Sequence, residues 1–122
     1  MLIRHLTGDP PVMAARATNA LAGADELLLA DLIVAECVYV LESFYEVPRE
    51  RVAELMRAAI ALPAIKTLDA PALLRALEVY EVDRLDFAAA YLIAQAEATG
   101  VGTILSFDKT IDRVKTVTRH EP

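Results

Sequence analysis

Short apolar runs at residues 26–30, 64–68 and 103–107 recur between longer stretches with helical signals, and this alternation constrains the fold more than any other feature. Strands alternating with helices imply an α/β domain whose parallel sheet is covered on both faces. Residues 2–6 read as part of a helix, broken by Thr7-Gly8-Asp9-Pro10-Pro11. An Ala-rich helix is expected over 12–21. Asp31 is placed to cap a helix reaching about Tyr45. Pro48 suits the first turn of another, running to Leu62. Pro63 stops that helix, and Asp69 with Pro71 opens the next, to about Val82. Asp86 should cap a helix ending near Thr99, after which Gly100-Val101-Gly102 turns the chain into the strand at 103–107. Residues 115–118 complete the set as an edge strand. No repeat, low-complexity tract or linker divides the chain, so a single domain over 1–122 is expected.

Bulk properties narrow the functional classes. The chain has 122 residues, 56% of them apolar, which supplies one core. No apolar run approaches the roughly 18 residues of a membrane span, and Met1-Leu2-Ile3-Arg4-His5-Leu6 does not make a secretory signal. Cys37 is the only cysteine, so no internal disulfide is available, and a reducing cytoplasm is the expected location. There is no Cys/His set of the kind that binds zinc. The net charge of −6 argues against a nucleic-acid coat protein. It is compatible with a nuclease built on carboxylates, and it suits a basic protein partner.

Carboxylates are the residues with chemical promise. In an open parallel sheet, sites gather at the carboxyl ends of the strands. Asp31 follows the strand at 26–30 directly, and Glu36 lies five residues further along the same helix. Its helical neighbours are Leu32, Ile33, Tyr39 and Val40, among which a buried carboxylate would need a partner. The plainer reading makes Glu36 and Ser43 a narrow solvent-facing stripe. Asp86 opens a helix that leads into the last long strand, and Asp108 ends that strand, so the two should converge in space. Taken singly, Asp86 reads as a helix cap and Asp108 as a turn residue. Three carboxylates on one edge would repel one another unless a cation offset the charge. Mg²⁺ or Mn²⁺ is the simplest such cation. It could activate water against a phosphodiester.

Four segments, in order, resemble the PIN-domain ribonucleases, and in particular the VapC-type toxins. Leu2-Ile3-Arg4-His5-Leu6-Thr7-Gly8-Asp9-Pro10 is similar to the segment after that family's opening Asp-Thr-Asn. Ala30-Asp31-Leu32-Ile33-Val34-Ala35-Glu36 matches the helix that bears its conserved Glu. Leu85-Asp86-Phe87-Ala88-Ala89-Ala90-Tyr91-Leu92-Ile93-Ala94 resembles its third motif, and Ile104-Leu105-Ser106-Phe107-Asp108 its last acidic motif. The resemblance implies a three-layer α/β/α domain with a mainly parallel central sheet whose central strand comes first. It also implies a Mg²⁺/Mn²⁺-dependent endoribonuclease, a cognate antitoxin and a homodimer. Glu36 and Asp108 map onto family acidic ligands. Asp86 is a neighbour of the third, whose usual position is held by Ala89. The family's first strand and its Asp-Thr-Asn have no counterpart here, so an in-frame apolar strand is expected upstream of Met1. With two carboxylates fewer, metal affinity should be low.

Competing readings remain. One is a catalytically impaired interaction module that keeps antitoxin-binding and dimer surfaces. Another, a phosphoacceptor receiver domain, lacks the acidic pair and phosphoacceptor Asp it would need. His5 and His120 read as surface residues. Arg4, Lys109, Arg113 and Lys115 are basic residues available to phosphate but ordinarily just solvated. Cys37 reads as packed. Leu55, Ile60 and Leu62 read as core or dimer surface.

Overall fold

The computed structural model describes residues 1–122. Six α-helices and four short strands alternate along the chain, which bears out the α/β class. The chain divides into two compact units, Met1–Leu68 and Asp69–Pro122.

The first unit holds α1 (Leu2–Thr7), α2 (Pro11–Gly23), β1 (Leu27–Leu28), α3 (Asp31–Ser43), α4 (Arg49–Ile60) and β2 (Ile65–Lys66). Gly8 ends α1 in the left-handed conformation, at φ 71°, where a side chain is disfavoured, and its N–H returns to the Arg4 carbonyl. In α3 the buried residues are Val34, Cys37, Val38 and Leu41, spaced to share one face. In α4 they are Val52, Ala53, Met56 and Ala59. Leu55, Ile60 and Leu62 are only half-buried.

The second unit holds α5 (Ala70–Glu78), a π-turn (Val79–Asp83), α6 (Phe87–Thr99), β3 (Thr103–Leu105), a 3₁₀ turn (Lys109–Arg113) and β4 (Thr118–His120). Asp69 caps α5 by accepting from the Ala72 N–H at 3.1 Å. Helices α5 and α6 pack on one another. Their buried positions, Ala72, Leu73, Ala76 and Leu77 on α5 and Ala90, Ile93 and Ala94 on α6, are rich in alanine, which permits close approach. Arg75 of α5 grips Glu97 of α6 through two hydrogen bonds, at 2.8 and 3.0 Å. Thr116, just ahead of β4, donates its hydroxyl to the same carboxylate.

The expected single sheet is replaced by two separate parallel pairs, β1 with β2 and β3 with β4. Leu27 lies opposite Ile65, and Thr103 opposite Thr118. In each pair every strand has a ladder partner on one side only. The N–H groups of Leu27 and Leu29 go to Ala64 and Lys66, so the backbone of Leu28 faces away from β2. Likewise Thr118 donates to Gly102, and Ser106 donates to His120, so the backbones of Thr103 and Leu105 face away from β4. A strand held on one side only stays short, which explains why the apolar runs yield two- and three-residue ladders.

Other boundaries differ from expectation. Ala30, not Asp31, is the N-cap of α3. Asp31 becomes its first residue, where its charge complements the helix dipole. Pro48 is the cap of α4, not part of its first turn. The helix expected to reach Val82 is α-helical only to Glu78 and then widens into the π-turn. The strand expected at 115–118 lies at Thr118–His120.

The Arg75–Glu97 pair gives a pH signature. Hydrogen bonding from Arg75 holds the Glu97 carboxyl below the usual carboxylate value. A lowered folded pKa means the pair stabilises above the unfolded carboxyl pKa, about 4.3, and that this is lost as pH falls through the folded value. Glu97→Gln should cost about 1–2 kcal/mol at neutral pH, the worth of hydrogen bonds to a charged group. The gap between the two proteins should narrow progressively as pH falls below the unfolded carboxyl value of about 4.3, as read by urea denaturation across the pH range.

Candidate functional site

Asp86 and Asp108 both lie in the second unit, each at the start of a helical turn. Asp86 caps α6, its Oδ1 accepting from the Ala89 N–H at 2.7 Å. An aromatic row fixes this end of the helix. Phe87 stands edge-on to Tyr80 of the π-turn and stacks with Tyr91 one turn on, each with ring centroids 6.2 Å apart. Phe87 is buried while Asp86, one residue earlier, is exposed, so the anchoring ring leaves the carboxylate facing water.

Asp108 is held by its own turn. Its Oδ1 accepts from the Thr110 N–H at 2.9 Å and from the Thr110 hydroxyl at 2.6 Å. Its N–H donates to the Ser106 hydroxyl at 3.0 Å. The turn and capping readings of these two aspartates are thus both correct as structure. In each, Oδ1 is the oxygen engaged.

Arg113 fastens the two segments together. It lies on the 3₁₀ turn that Asp108 opens, and its Nη1 donates to the carbonyls of Asp83 and Arg84 at 3.3 and 3.1 Å. Arg84 sits in the left-handed region, at φ 62°, two residues before Asp86. This contact ties the approach to Asp86 to the turn after Asp108, and it gives Arg113 a definite structural task. Lys115 similarly donates to the Asp112 carbonyl at 2.9 Å.

Glu36 lies in the first unit, in the middle of α3, and is exposed. Leu32 and Tyr39, one turn to either side, are exposed as well, at 71% and 69%, and Ser43 continues the row. The burial that would have demanded a partner for Glu36 is absent, and the solvent-facing stripe is what the structure contains. Cys37, the next residue, is packed inward, and burial pushes its thiol pKa up, away from the thiolate form a nucleophile needs. His120 is exposed. His5 is half-buried, with Nδ1 2.8 Å from the Thr18 hydroxyl.

Nowhere do three His, Cys, Asp or Glu side chains gather closely enough to hold a metal ion. Within the second unit, Asp86 and Asp108 are carboxylates with no group of three potential ligands around them. Ala89, where a further carboxylate was expected, is buried in the first turn of α6 at 9% exposure. Two participants went unforeseen. Thr110 was signalled by the Asp-x-Thr spacing that favours a side-chain-closed turn. Arg113 gave no usable signal, because its partners are backbone carbonyls about thirty residues away.

A family model for the PIN domain matches residues 1–117, spanning both units and every motif described above. The chain belongs to the PIN-domain family. PIN domains are typically nucleases and generally use divalent metal ions. Neither a search of curated proteins nor a search of solved structures returned a match. No helix is long and apolar enough to cross a membrane.

The capping role of Asp86 can be separated from any chemistry at the same carboxylate. Asn caps as well as Asp, whereas Ala does not. Asp86→Ala should lose about 1 kcal/mol of stability, and Asp86→Asn only a few tenths, both measured by urea denaturation.

Proposed function

We propose that this chain is a ribonuclease of the VapC toxin type, acting on RNA with Mg²⁺ or Mn²⁺. Its acidic residues are Glu36, Asp86 and Asp108. Residues 1–122 fold as one PIN domain that pairs as a homodimer, is restrained by a cognate antitoxin and works in the cytoplasm. The observation that carries this reading is the PIN match across residues 1–117. Two features of the second unit support it. Asp86 and Asp108 stand on segments that Arg113 joins, and Asp86 is turned to solvent by the aromatic anchor beneath it.

A second reading has its own observation. Because no three potential ligands gather, the chain also fits a PIN module that binds its antitoxin and dimerises without cutting RNA. In the first reading, Mn²⁺-dependent cleavage of RNA by the wild-type chain is weak and disappears in Asp108→Asn. In the second, neither protein cleaves, yet the antitoxin still binds.

Position 89 offers the sharper measurement. Ala89→Asp adds a carboxylate three residues from Asp86 on α6, and about tenfold tighter Mn²⁺ binding is expected, which corresponds to about 1.4 kcal/mol. The new carboxylate is placed at a buried position, so the metal-free variant should melt below wild type. Added Mn²⁺ should restore much of the difference, because a ligand that binds only the folded state raises its stability. Calorimetric titration and melting curves with and without Mn²⁺ check both effects. Equal affinities in the two proteins would mean that position 89 faces away from the acidic residues.

A further inference from the structure

We propose that a groove between α1 and α2, walled by Arg4 and Arg16, holds the phosphodiester backbone of single-stranded RNA. The proposal uses the first unit alone, and it rests on the ribonuclease reading for the identity of the anion.

Nearly all the cations of this chain are engaged. Of its twelve Lys and Arg, Arg51, Arg75 and Arg119 sit in ion pairs, and Arg113 and Lys115 bond to carbonyls. Arg49, Arg57 and Arg84 have partners as well, and Lys109 acts on the Asp112 carboxylate. The side chains of Arg4, Arg16 and Lys66 are left. Two of these three wall the same groove, of about 370 Å³, whose other lining residues are Met1, Met13 and Ala17. No Asp or Glu lines it. Arg75 also lines a groove, but beside Asp69 and Glu97, the second of which it already grips. An anion entering between Arg4 and Arg16 displaces no carboxylate.

The two helices explain the convergence. They pack on one another, with Leu2 the buried residue of α1 and Ala14, Ala17 and Leu21 those of α2. Arg4 follows Leu2 by two residues, about 200° round the helix, so its side chain leaves on the outward side. A strand packed beneath α1 would meet Leu2 and leave the groove as it is. Ala17, 5% exposed, gives a floor too small to fill the space between the guanidiniums. RNA meets a chain of net charge −6, so it needs a place where positive charge is gathered and free. A guanidinium fork donates to two oxygens at once, and two forks can share the non-bridging oxygens of one phosphodiester. Met13, 42% exposed, adds a polarizable apolar wall for a ribose or base.

The test titrates a fluorescent twelve-nucleotide single-stranded RNA with the whole chain and reads anisotropy, with EDTA present so that nothing is cut. Arg4→Gln and Arg16→Gln should each weaken binding at least fivefold. Each should also lower the slope of log Kd against log salt by about 0.7, the share of one phosphate contact on a single strand. Lys66→Gln makes the same charge change outside the groove and should leave both quantities nearly unchanged. If an Arg variant does not fold, the wild-type chain answers instead: bound RNA should shield Arg4 and Arg16 from phenylglyoxal, as read by peptide mass mapping. Absence of RNA binding, losses no larger than that of Lys66→Gln, or no shielding overturns the proposal. So does an oligoglutamate peptide that displaces the RNA at equal charge concentration, because an acidic protein partner would then be the occupant. Replacing EDTA with Mn²⁺ judges the ribonuclease reading separately. RNA held through the groove but never cut removes that reading and leaves the groove as an RNA-binding site, whereas cleavage with unchanged binding in the Arg variants does the reverse.

Discussion

The demand that every strand satisfy its backbone groups governs this chain. A parallel ladder uses only alternate residues of a strand, because the N–H and C=O of successive residues point to opposite edges. Each strand here has one neighbour, so alternate residues along it have no ladder partner. The consequence is visible in length. Apolar runs of five residues contract to the two residues of β1 and β2 and the three of β3. The helices carry little of this burden, since their backbone bonds close within themselves. They keep lengths of up to 13 residues and supply most of the buried surface.

That contrast also explains what could be read from the amino acids. Helix signals are local, and the expected helix from Asp86 to Thr99 was found with its cap intact. Ladder formation depends on a partner far away in the chain, and there the apolar runs mark the right places with the wrong extents. The strand at Thr118–His120 was displaced because its apolar content is slight. Its pairing is fixed by Gly102 and His120 carbonyls that no local pattern reveals. The π-turn at Val79–Asp83 had no precursor in the pattern, since Val79 and Tyr80 continue the helical spacing of α5 and their burial hides the widening.

The candidate site was legible in part. Asp86 and Asp108 stand at the starts of helical turns, as their spacing implied. Their local hydrogen bonds could also be anticipated, because Asp accepts readily from N–H groups two or three residues on. What could not be read was the fastening between them. Arg113 looks like any solvated cation in the sequence, yet its guanidinium bridges to carbonyls presented by a left-handed residue and its neighbour. Glu36 illustrates the opposite difficulty. Its apolar neighbours left burial and a solvent-facing stripe both open, and exposed Leu32 and Tyr39 show that apolar composition on a helix face does not fix which way that face turns.

The π-turn has a bearing on insertions and deletions. A π-turn holds one residue more than the α-helical turn it replaces, and each residue of an α-helix advances the chain by about 100°. Removing a single residue from Val79–Asp83 would therefore mend the helix locally. It would also rotate everything that follows, swinging Tyr80 away from Phe87 and presenting different carbonyls to Arg113. The extra residue thus acts as a phase spacer between α5 and α6. Lineages of this domain should tolerate changes of side chain in the segment far better than changes of length.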